Sequence, residues 1–486
     1  MTQSKNIFFI LFLFIAVNNY GQAIRFSHVL GSDGYDDGYS AKQTTDKGYI
    51  IGGSTSSFGA GATDMYLLKT DPYGNPVRQN TFGGINIDIG KCVRQTSDGG
   101  YILLGYTNSY GAGGYDVYLV KTDSLMDTLW TKTYGGTGWD FGSCIEPTLN
   151  DGGYIICGST YSYGHGDQDY YVLRIYSNGD TAWTRTFGGA KEDVANSVIQ
   201  TSDGGFLVTG TTKSMGDTLG DVYTVKLDIY GDTMWTNKWG GIGHHDYGND
   251  ILHSRNGGYL VAGESQSFGT NDFDGFIIKI DMQGAAALMW RTYLPYDDYF
   301  QSITEDGLGR IVVSGVGFSP ASEGNATIYI LNNDWSYFNG TDFGGPRYDI
   351  GFSVEPTNDY GFIISGSSVS FNNYLDDVYL IKTDSMGIGG SAEAVVATNI
   401  QSFSTINNEL EIFPNPASDY LSINSDKINE STTIEIFDII GNELKNEKIN
   451  LQIHNSLNIS DLANGIYLLK IVSSTNSSTF KLIVQH

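Results

Sequence analysis

Cysteine, proline and basic side chains are all scarce in this chain of 486 residues. The three cysteines, Cys92, Cys144 and Cys157, are too few and odd in number for a disulfide framework. Their spacing leaves open a single bridge between Cys144 and Cys157, which flank the turn around Asn150 and Asp151; three buried small hydrophobes is the alternative. Against 54 acidic residues stand 27 Lys and Arg, for a formal net charge of −27. No basic patch is concentrated anywhere, which argues against a nucleic-acid partner, since phosphate binding needs a basic surface. The apolar run Ile7 to Val17, eleven residues long, is too short to cross a bilayer as a helix. The first cysteine is Cys92, so lipid anchoring through a signal-peptide cysteine is excluded. Runs of the Ala, Leu, Glu and Lys that helices favour are few.

What is abundant is glycine, with 63 residues, and tyrosine, with 33, a composition that reads as all-β with many tight turns. The N-terminus has Lys5, the apolar run and then small polar residues up to Ala23, the pattern of a cleaved signal peptide over residues 1–22. Export is the expectation.

Three phrases then recur. Asp-Gly-Gly-Tyr or a variant places its aromatic or aliphatic residue at Tyr49, Tyr101, Tyr154, Phe206, Tyr259, Ile311 and Phe362, at intervals of 51 to 53 residues. An aromatic followed by Gly-Gly recurs at Phe82, Tyr134, Phe187, Trp239 and Phe343. A strand opening with Asp and closing on Lys-Thr-Asp or a variant starts at Asp64, Asp116, Asp169, Asp221, Asp274 and Asp377, with a sixth copy near Thr327 that has lost its charges. Each unit offers four short strands, and four strands in about 52 residues, repeated seven times, is the arithmetic of a seven-bladed β-propeller over residues 24–387. Residues Ile24 to Ser32 match the strand that elsewhere follows Lys-Thr-Asp, whereas none follows Asp384. The N-terminal strand is therefore expected to complete the last blade and close the ring.

After Gly387 the pattern stops, and residues 388–404, rich in Gly, Ala and Ser, read as a linker. Residues 405–486 show alternating strands that suggest a small antiparallel β-sandwich. Four motifs stand there in order: Ile412-Phe413-Pro414-Asn415-Pro416-Ala417, Ile436 to Gly441, Leu462 to Tyr467, and Lys481 to Val484. This stretch resembles the C-terminal sorting domain that Bacteroidetes proteins carry for type IX secretion. The resemblance implies a secreted or cell-surface protein with the type IX secretion machinery as partner, and Pro414, Asn415, Pro416, Gly441, Gly465 and Tyr467 as the sorting motif. The repeats likewise resemble those of secreted bacterial propellers, a likeness that names a fold more than an activity.

Strand direction alternates within a blade, so the Gly-Gly connections and the long loops before each third strand share one face. Those loops carry Phe58, Tyr110, Tyr163, Phe268 and Phe371, candidate anchors for an extracellular glycan or protein; packing between blades is the competing reading. The Asp after each Gly-Gly (Asp36, Asp88, Asp140, Asp193, Asp246, Asp349, with Asp297 or Asp298 in the degenerate unit) is expected to hold backbone hydrogen bonds rather than ring a cation. No cofactor is expected; Ca²⁺ is the one ion for which the spacing of Asp167 with Asp169, Asp217 with Asp221 and Asp272 with Asp274 speaks. His244-His245-Asp246 is the one local histidine cluster, and no nucleophile with a base accompanies it. The sequence reads as a binding or adhesion scaffold without a catalytic motif, the alternative being an extracellular polysaccharide hydrolase or lyase with carboxylates or His245 near the central channel.

Overall fold

The computed structural model describes residues 23–149, 151–216, 219–267, 272–292, 296–371 and 375–396, and, of the C-terminal unit, 410–413, 420–425, 431–438, 443–450, 454–463, 465–472 and 477–484. The signal-peptide segment lies outside them, as do Asn150, Phe268, Pro414, Asn415, Pro416 and Gly441.

The repeated phrases are repeated because they meet. In the second blade the Lys121 ammonium of the third strand reaches Asp98 of the Asp-Gly-Gly turn at 2.9 Å. Lys69 with Asp46, Lys226 with Asp203 and Lys382 with Asp359 do the same at 3.0, 2.9 and 2.9 Å, and Arg174 pairs with Asp151. The sixth blade has Ile330 in place of the lysine and closes its turn on Arg310 and Asp306 instead, 2.6 Å apart. Burial works against ionisation of these turn aspartates, but hydrogen bonds from Thr96 and Lys121 hold Asp98 down to about 2, and those from Thr201 and Lys226 do the same for Asp203. A carboxylate held below its unfolded value stabilises the fold above that value and loses its contribution as pH falls through the folded one. The melting temperature is therefore expected to drop steeply between about pH 4 and pH 2, which thermal melts followed by circular dichroism will check.

Each regular blade is a four-stranded antiparallel meander, as in Asp36–Gln43, Tyr49–Thr55, Asp64–Thr70 and Pro76–Phe82. Its second and third strands are buried on both faces and read as nearly continuous apolar runs, because they are covered by neighbouring blades. Its first strand alternates buried and half-buried residues and touches the first strands of the two adjacent blades. These contacts run from Asp36–Gln43 through Asp88–Gln95, Asp140–Pro147, Asp193–Gln200, Asp246–His253 and Asp298–Glu305 to Asp349–Pro356, and from there back to Asp36–Gln43. Seven sheets whose inner strands form a closed circle are a seven-bladed propeller.

A belt of small side chains ties the inner strands together, each accepting an N–H from the next blade. Val93 N donates to Ser40 Oγ at 3.3 Å, Val354 N to Ser302 Oγ at 3.3 Å, and Ala41 N to Ser353 Oγ at 3.5 Å across the closure. Ile145 N donates to Cys92 Sγ at 3.4 Å, so Cys92 stands where other blades have serine. Cys144 holds the same belt position in the third blade and faces Cys157 across the ladder; all three are buried free thiols, the second of the two readings the spacing left open.

The last blade is built from both ends of the unit. The N-terminal strand Phe26–Gly31 pairs antiparallel with Asp377–Thr383, with Phe26 opposite Lys382. On its other side it pairs in parallel with Ala392–Val396. The expected closure is thus present, with a correction: part of the stretch read as a linker is a fifth strand of this blade. That segment, Ala-Glu-Ala-Val-Val, lacks the phrases of the repeat, so its strand character is supplied by the exposed edge it covers.

The C-terminal unit is an antiparallel sandwich. A three-stranded sheet (Leu410–Phe413, Tyr420–Ser425, His454–Asn458) and a four-stranded sheet (Glu443–Asn450, Ser431–Phe437, Gly465–Val472, Ser477–Val484) share a core that includes Leu421, Ile423, Ile434, Ile436, Leu457 and Leu469. Tyr467 is buried, and its hydroxyl donates to the Ala463 carbonyl at 2.7 Å. Gly465 opens the strand that carries it.

Candidate functional site: the mouth of the central channel

The seven aspartates that open the inner strands are all fully buried. Asp140 shows their role: it accepts from Gly136 N at 2.8 Å, from Ser162 Oγ at 2.6 Å and from Thr160 Oγ1. A Cβ on Gly135 would collide with the carboxylates of Asp116 and Asp140, which is why this turn carries glycine. Six of the seven fix connections between blades, the structural role expected of them; Asp298 is the exception.

The loop aromatics also serve the frame. Phe58 stacks on Tyr66 with ring centroids 6.1 Å apart, and Phe371 packs on Tyr379 at 5.9 Å. Tyr110 and Tyr163 lie against Tyr118 and Tyr171, and their hydroxyls donate to the carbonyls of Gly83 and Gly135 at 2.7 Å. Each of these four packs within its own blade, while Tyr110 and Tyr163 remain 47% and 46% exposed. Phe268 lies outside the described residues. Of the aspartates spaced like calcium ligands, Asp169 and Asp274 are buried whereas Asp167 and Asp272 are exposed; Asp217 is outside the described residues. Among the described residues no group of three or more His, Cys, Asp or Glu side chains is placed to hold a metal ion.

What the fold gathers instead lies at the channel mouth, on the face of the Gly-Gly connections. The residues just before and after each buried aspartate vary around the ring, although Tyr35 and Tyr348, Tyr247 and Tyr299, and Ile89 and Ile350 repeat. On one side Tyr106 of the second blade meets Phe141 of the third edge to face at 5.0 Å, Tyr115 meets Trp139 at 5.9 Å, and Trp139 meets Tyr161 at 6.2 Å. Trp139 is 54% exposed, and Tyr161 45%. On the other side an aromatic arc crosses three blades: His245 on Tyr247, Tyr247 on Phe273, Phe273 on Tyr299, Tyr299 on Phe318 and Phe318 on Tyr348, at centroid distances of 5.9, 6.1, 5.6, 5.5 and 6.1 Å. His245 Nδ1 lies 2.9 Å from the Leu219 carbonyl and 3.0 Å from the Tyr247 hydroxyl, so this histidine is held within the arc.

Polar groups stand between the rings. Asn249 and Gln301 each donate to Glu264 Oε2 at 3.4 Å. Burial, reinforced by the charge of Asp297, pushes the Glu264 carboxyl up to about 7. Across the ring Tyr39 donates to Asp37 at 3.1 Å and carries the Lys91 ammonium 3.4 Å above its ring centroid. Burial brings Lys91 down to about 8 although Asp37 works the other way. Sequence reasoning missed this site because it followed the positions that recur. The usable signal is the reverse, variation beside an invariant aspartate: Tyr35, Ile87, Trp139, Glu192, His245, Asp297 and Tyr348 precede it, and Asp37, Ile89, Phe141, Val194, Tyr247, Tyr299 and Ile350 follow it.

Residues 411–485 match the secretion system C-terminal sorting domain. The chain carries a sorting domain. It is a secreted or cell-surface protein with a propeller scaffold, exported through the type IX secretion machinery. No helix among the described residues is long and apolar enough to cross a membrane. Over 133 residues the chain is 26% identical to an endo-acting ulvan lyase of Formosa agariphila, a match covering 26% of this chain and 25% of that one. The chain thus spans about a quarter of the length of the curated relative it matches. Among solved structures it is similar to Sqt1 of Chaetomium thermophilum, with a TM-score of 0.41 and 11% identity over 71% of this chain and 82% of that one. It is also similar to prolyl oligopeptidase B of Galerina marginata, with a TM-score of 0.37 and 9% identity over 83% and 56% of the two chains. The propeller itself is established by the strand order and the closed circle of inner strands.

Proposed function

We propose that this exported propeller binds an extracellular glycan at the channel mouth and that it does so without turnover. The observation that carries the reading is the pair of aromatic arcs, with Trp139 and Tyr161 exposed, set around amide and carboxylate groups on the residues that vary between blades. Aromatic faces supply apolar area for sugar rings, and the amides and carboxylates between them take hydroxyls. With Asp37, Glu264, Asp297 and Asp376 around the channel and a net charge of −27, polyanionic chains are disfavoured; the ligand is a neutral or amine-bearing glycan.

Affinity electrophoresis against neutral, basic and acidic polysaccharides tests this. Trp139→Ala and Tyr299→Ala are expected to weaken binding about 10- to 30-fold. Phe58→Ala and Phe371→Ala are expected to lower thermal stability and leave affinity unchanged. Equal affinity in the Trp139→Ala protein rejects the mouth as the site.

A second reading, a polysaccharide hydrolase or lyase, is favoured by one group, Glu264, whose carboxyl at about 7 can hold or release a proton near neutrality. Cleavage products that disappear with Glu264→Gln establish it; their absence across the same panel leaves the binding reading.

A further inference from the structure

The sixth blade departs from the rule that its neighbours keep. In four blades the aspartate that opens the inner strand takes a hydroxyl from the residue directly across on the second strand: Thr107 for Asp88, Thr160 for Asp140, Ser265 for Asp246 and Ser368 for Asp349. A serine two positions on supplies a second one, as Ser109 does for Asp88 at 2.7 Å and Ser370 for Asp349 at 2.6 Å. Opposite Asp298 stands Gly317, which has no hydroxyl. The following serine, Ser319, lies 3.1 Å from Ser322 Oγ instead, because here the second and third strands, Ile311–Ser319 and Ser322–Leu331, run on as a long hairpin. Asp298 is fully buried, and neither of its oxygens has a well-formed hydrogen bond among the described residues; the neighbouring Thr292 hydroxyl, 3.4 Å from Asp274 Oδ1, is a donor that eases the charge of Asp298. The hydroxyl of Thr327, equally buried, has no well-formed hydrogen bond either.

These groups share one space. A Cβ on Gly317 would lie 3.3 Å from Asp298 Oδ1, 3.8 Å from Asp342 Oδ1 and 3.8 Å from Thr327 Cβ. The same hairpin removes the aromatic that packs on the third-strand tyrosine in other blades, since Phe318 has joined the arc at the channel mouth. Between the outer strands of the fifth and sixth blades lies an open pocket of about 430 Å³, lined by Trp290, Arg291, Thr292, Tyr329, Tyr337 and Asp342; the equivalent groove between the second and third blades is lined by Tyr134, Tyr163, Tyr171 and Arg185 and has no carboxylate in its lining. Tyr329 stands between Trp290 at 6.5 Å and Tyr337 at 6.4 Å.

We propose that this pocket binds an organic ammonium group, held among Trp290, Tyr329 and Tyr337 beside the carboxylate of Asp342, with Asp298 buried behind the lining. Ring faces attract cations, most strongly where water is excluded, and an acidic floor adds to that attraction. Arg291 is the only basic side chain in the lining, and it is engaged in an interaction of its own. Asp274 and Asp342 repel the charge of Asp298, whose burial first and these neighbours next push its carboxyl up to about 7. A bound cation answers that strain. Three walls of aromatic rings, and too few converging ligands for a metal, favour an ammonium on carbon over an inorganic ion.

Isothermal titration of the full-length protein with tetramethylammonium, glucosamine and calcium, each as the chloride and each at constant ionic strength, decides the matter. Saturable binding of tetramethylammonium or of glucosamine is expected, and which of the two binds tells a quaternary amine from an amino sugar. Asp342→Asn and Trp290→Ala are expected to weaken it at least tenfold. Gly317→Ser, which returns to Asp298 the hydroxyl its counterparts have, is expected to abolish it while melting no lower than wild type. Absence of saturable binding by both amines, unchanged binding in Asp342→Asn and Gly317→Ser, or preference for calcium over both overturns the proposal.

Discussion

A protein lacking residues 24–32 is expected to melt about 10 °C below the full chain and to be cut by protease within the last blade. Phe26, Val29 and Leu30 of the removed strand are all buried, and at roughly 2 kcal/mol for each large apolar side chain their loss removes about 6 kcal/mol. For a domain of this size each kcal/mol moves the melting temperature by about 2 °C. The deletion also strips Asp377–Thr383 of its outer partner and leaves Ala392–Val396 with no strand to pair with. Differential scanning calorimetry with limited proteolysis measures both effects, and a synthetic peptide of residues 24–32 added in trans is expected to restore part of the loss. A deletion protein melting within about 2 °C of wild type shows that the ring does not depend on this strand.

The second large effect has opposite signs at two positions that the repeat makes equivalent. Asp140→Asn is expected to destabilise by about 3 kcal/mol, because the amide that replaces one carboxylate oxygen is a donor facing donors, the Gly136 N–H and the hydroxyls of Ser162 and Thr160. Asp298→Asn is expected to stabilise at pH 8 by an amount on the order of 2 kcal/mol. The Asp298 carboxyl, at about 7 in the folded protein against 3.8 in an unfolded chain, binds its proton more tightly when folded. Wild-type stability from this group is therefore complete below about pH 4 and is lost as pH rises to about 7, so the gain from asparagine is absent at pH 4 and full at pH 8. Thermal melts of both variants at the two pH values separate the cases; a destabilised Asp298→Asn protein at pH 8 shows that the carboxylate is bonded after all.

How far these positions were legible follows from what repetition records. Asp36 through Asp349 recur because the blades fix the same connection, and Lys121 with Asp98 recurs because four of the turns are closed by the same Lys–Asp pair, so spacing alone carried blade number and closure. Recurrence also has a structural source at Tyr110 and Tyr163, each of which braces its blade against a Gly-Gly carbonyl. The channel mouth is written in residues such as Trp139 and Phe141, which vary around the ring. The strand Ala392–Val396 was read as linker because a short small-residue segment gains its conformation from the open edge of Phe26–Gly31 rather than from its own side chains. In the sixth unit the lost charges near Thr327 were visible, but the placement of Gly317 opposite Asp298 follows from a pairing of strands that only the structure reveals.

The closure has a kinetic meaning as well. Ser27 Oγ donates to the carbonyl of Gly390, 363 positions away in sequence, so the first strand to be made is the last to find its partners. Six blades form from hairpins whose strands are neighbours in sequence, each able to condense as soon as its own 50 or so residues are present, whereas the seventh must bring the two ends of the unit together. Until that long loop closes, the edges of Asp377–Thr383 and of the N-terminal strand are both open to pairing with other chains. Folding is thus expected to end in one slow step set by the search for this contact, and aggregation during refolding is expected to originate at the two ends of the unit.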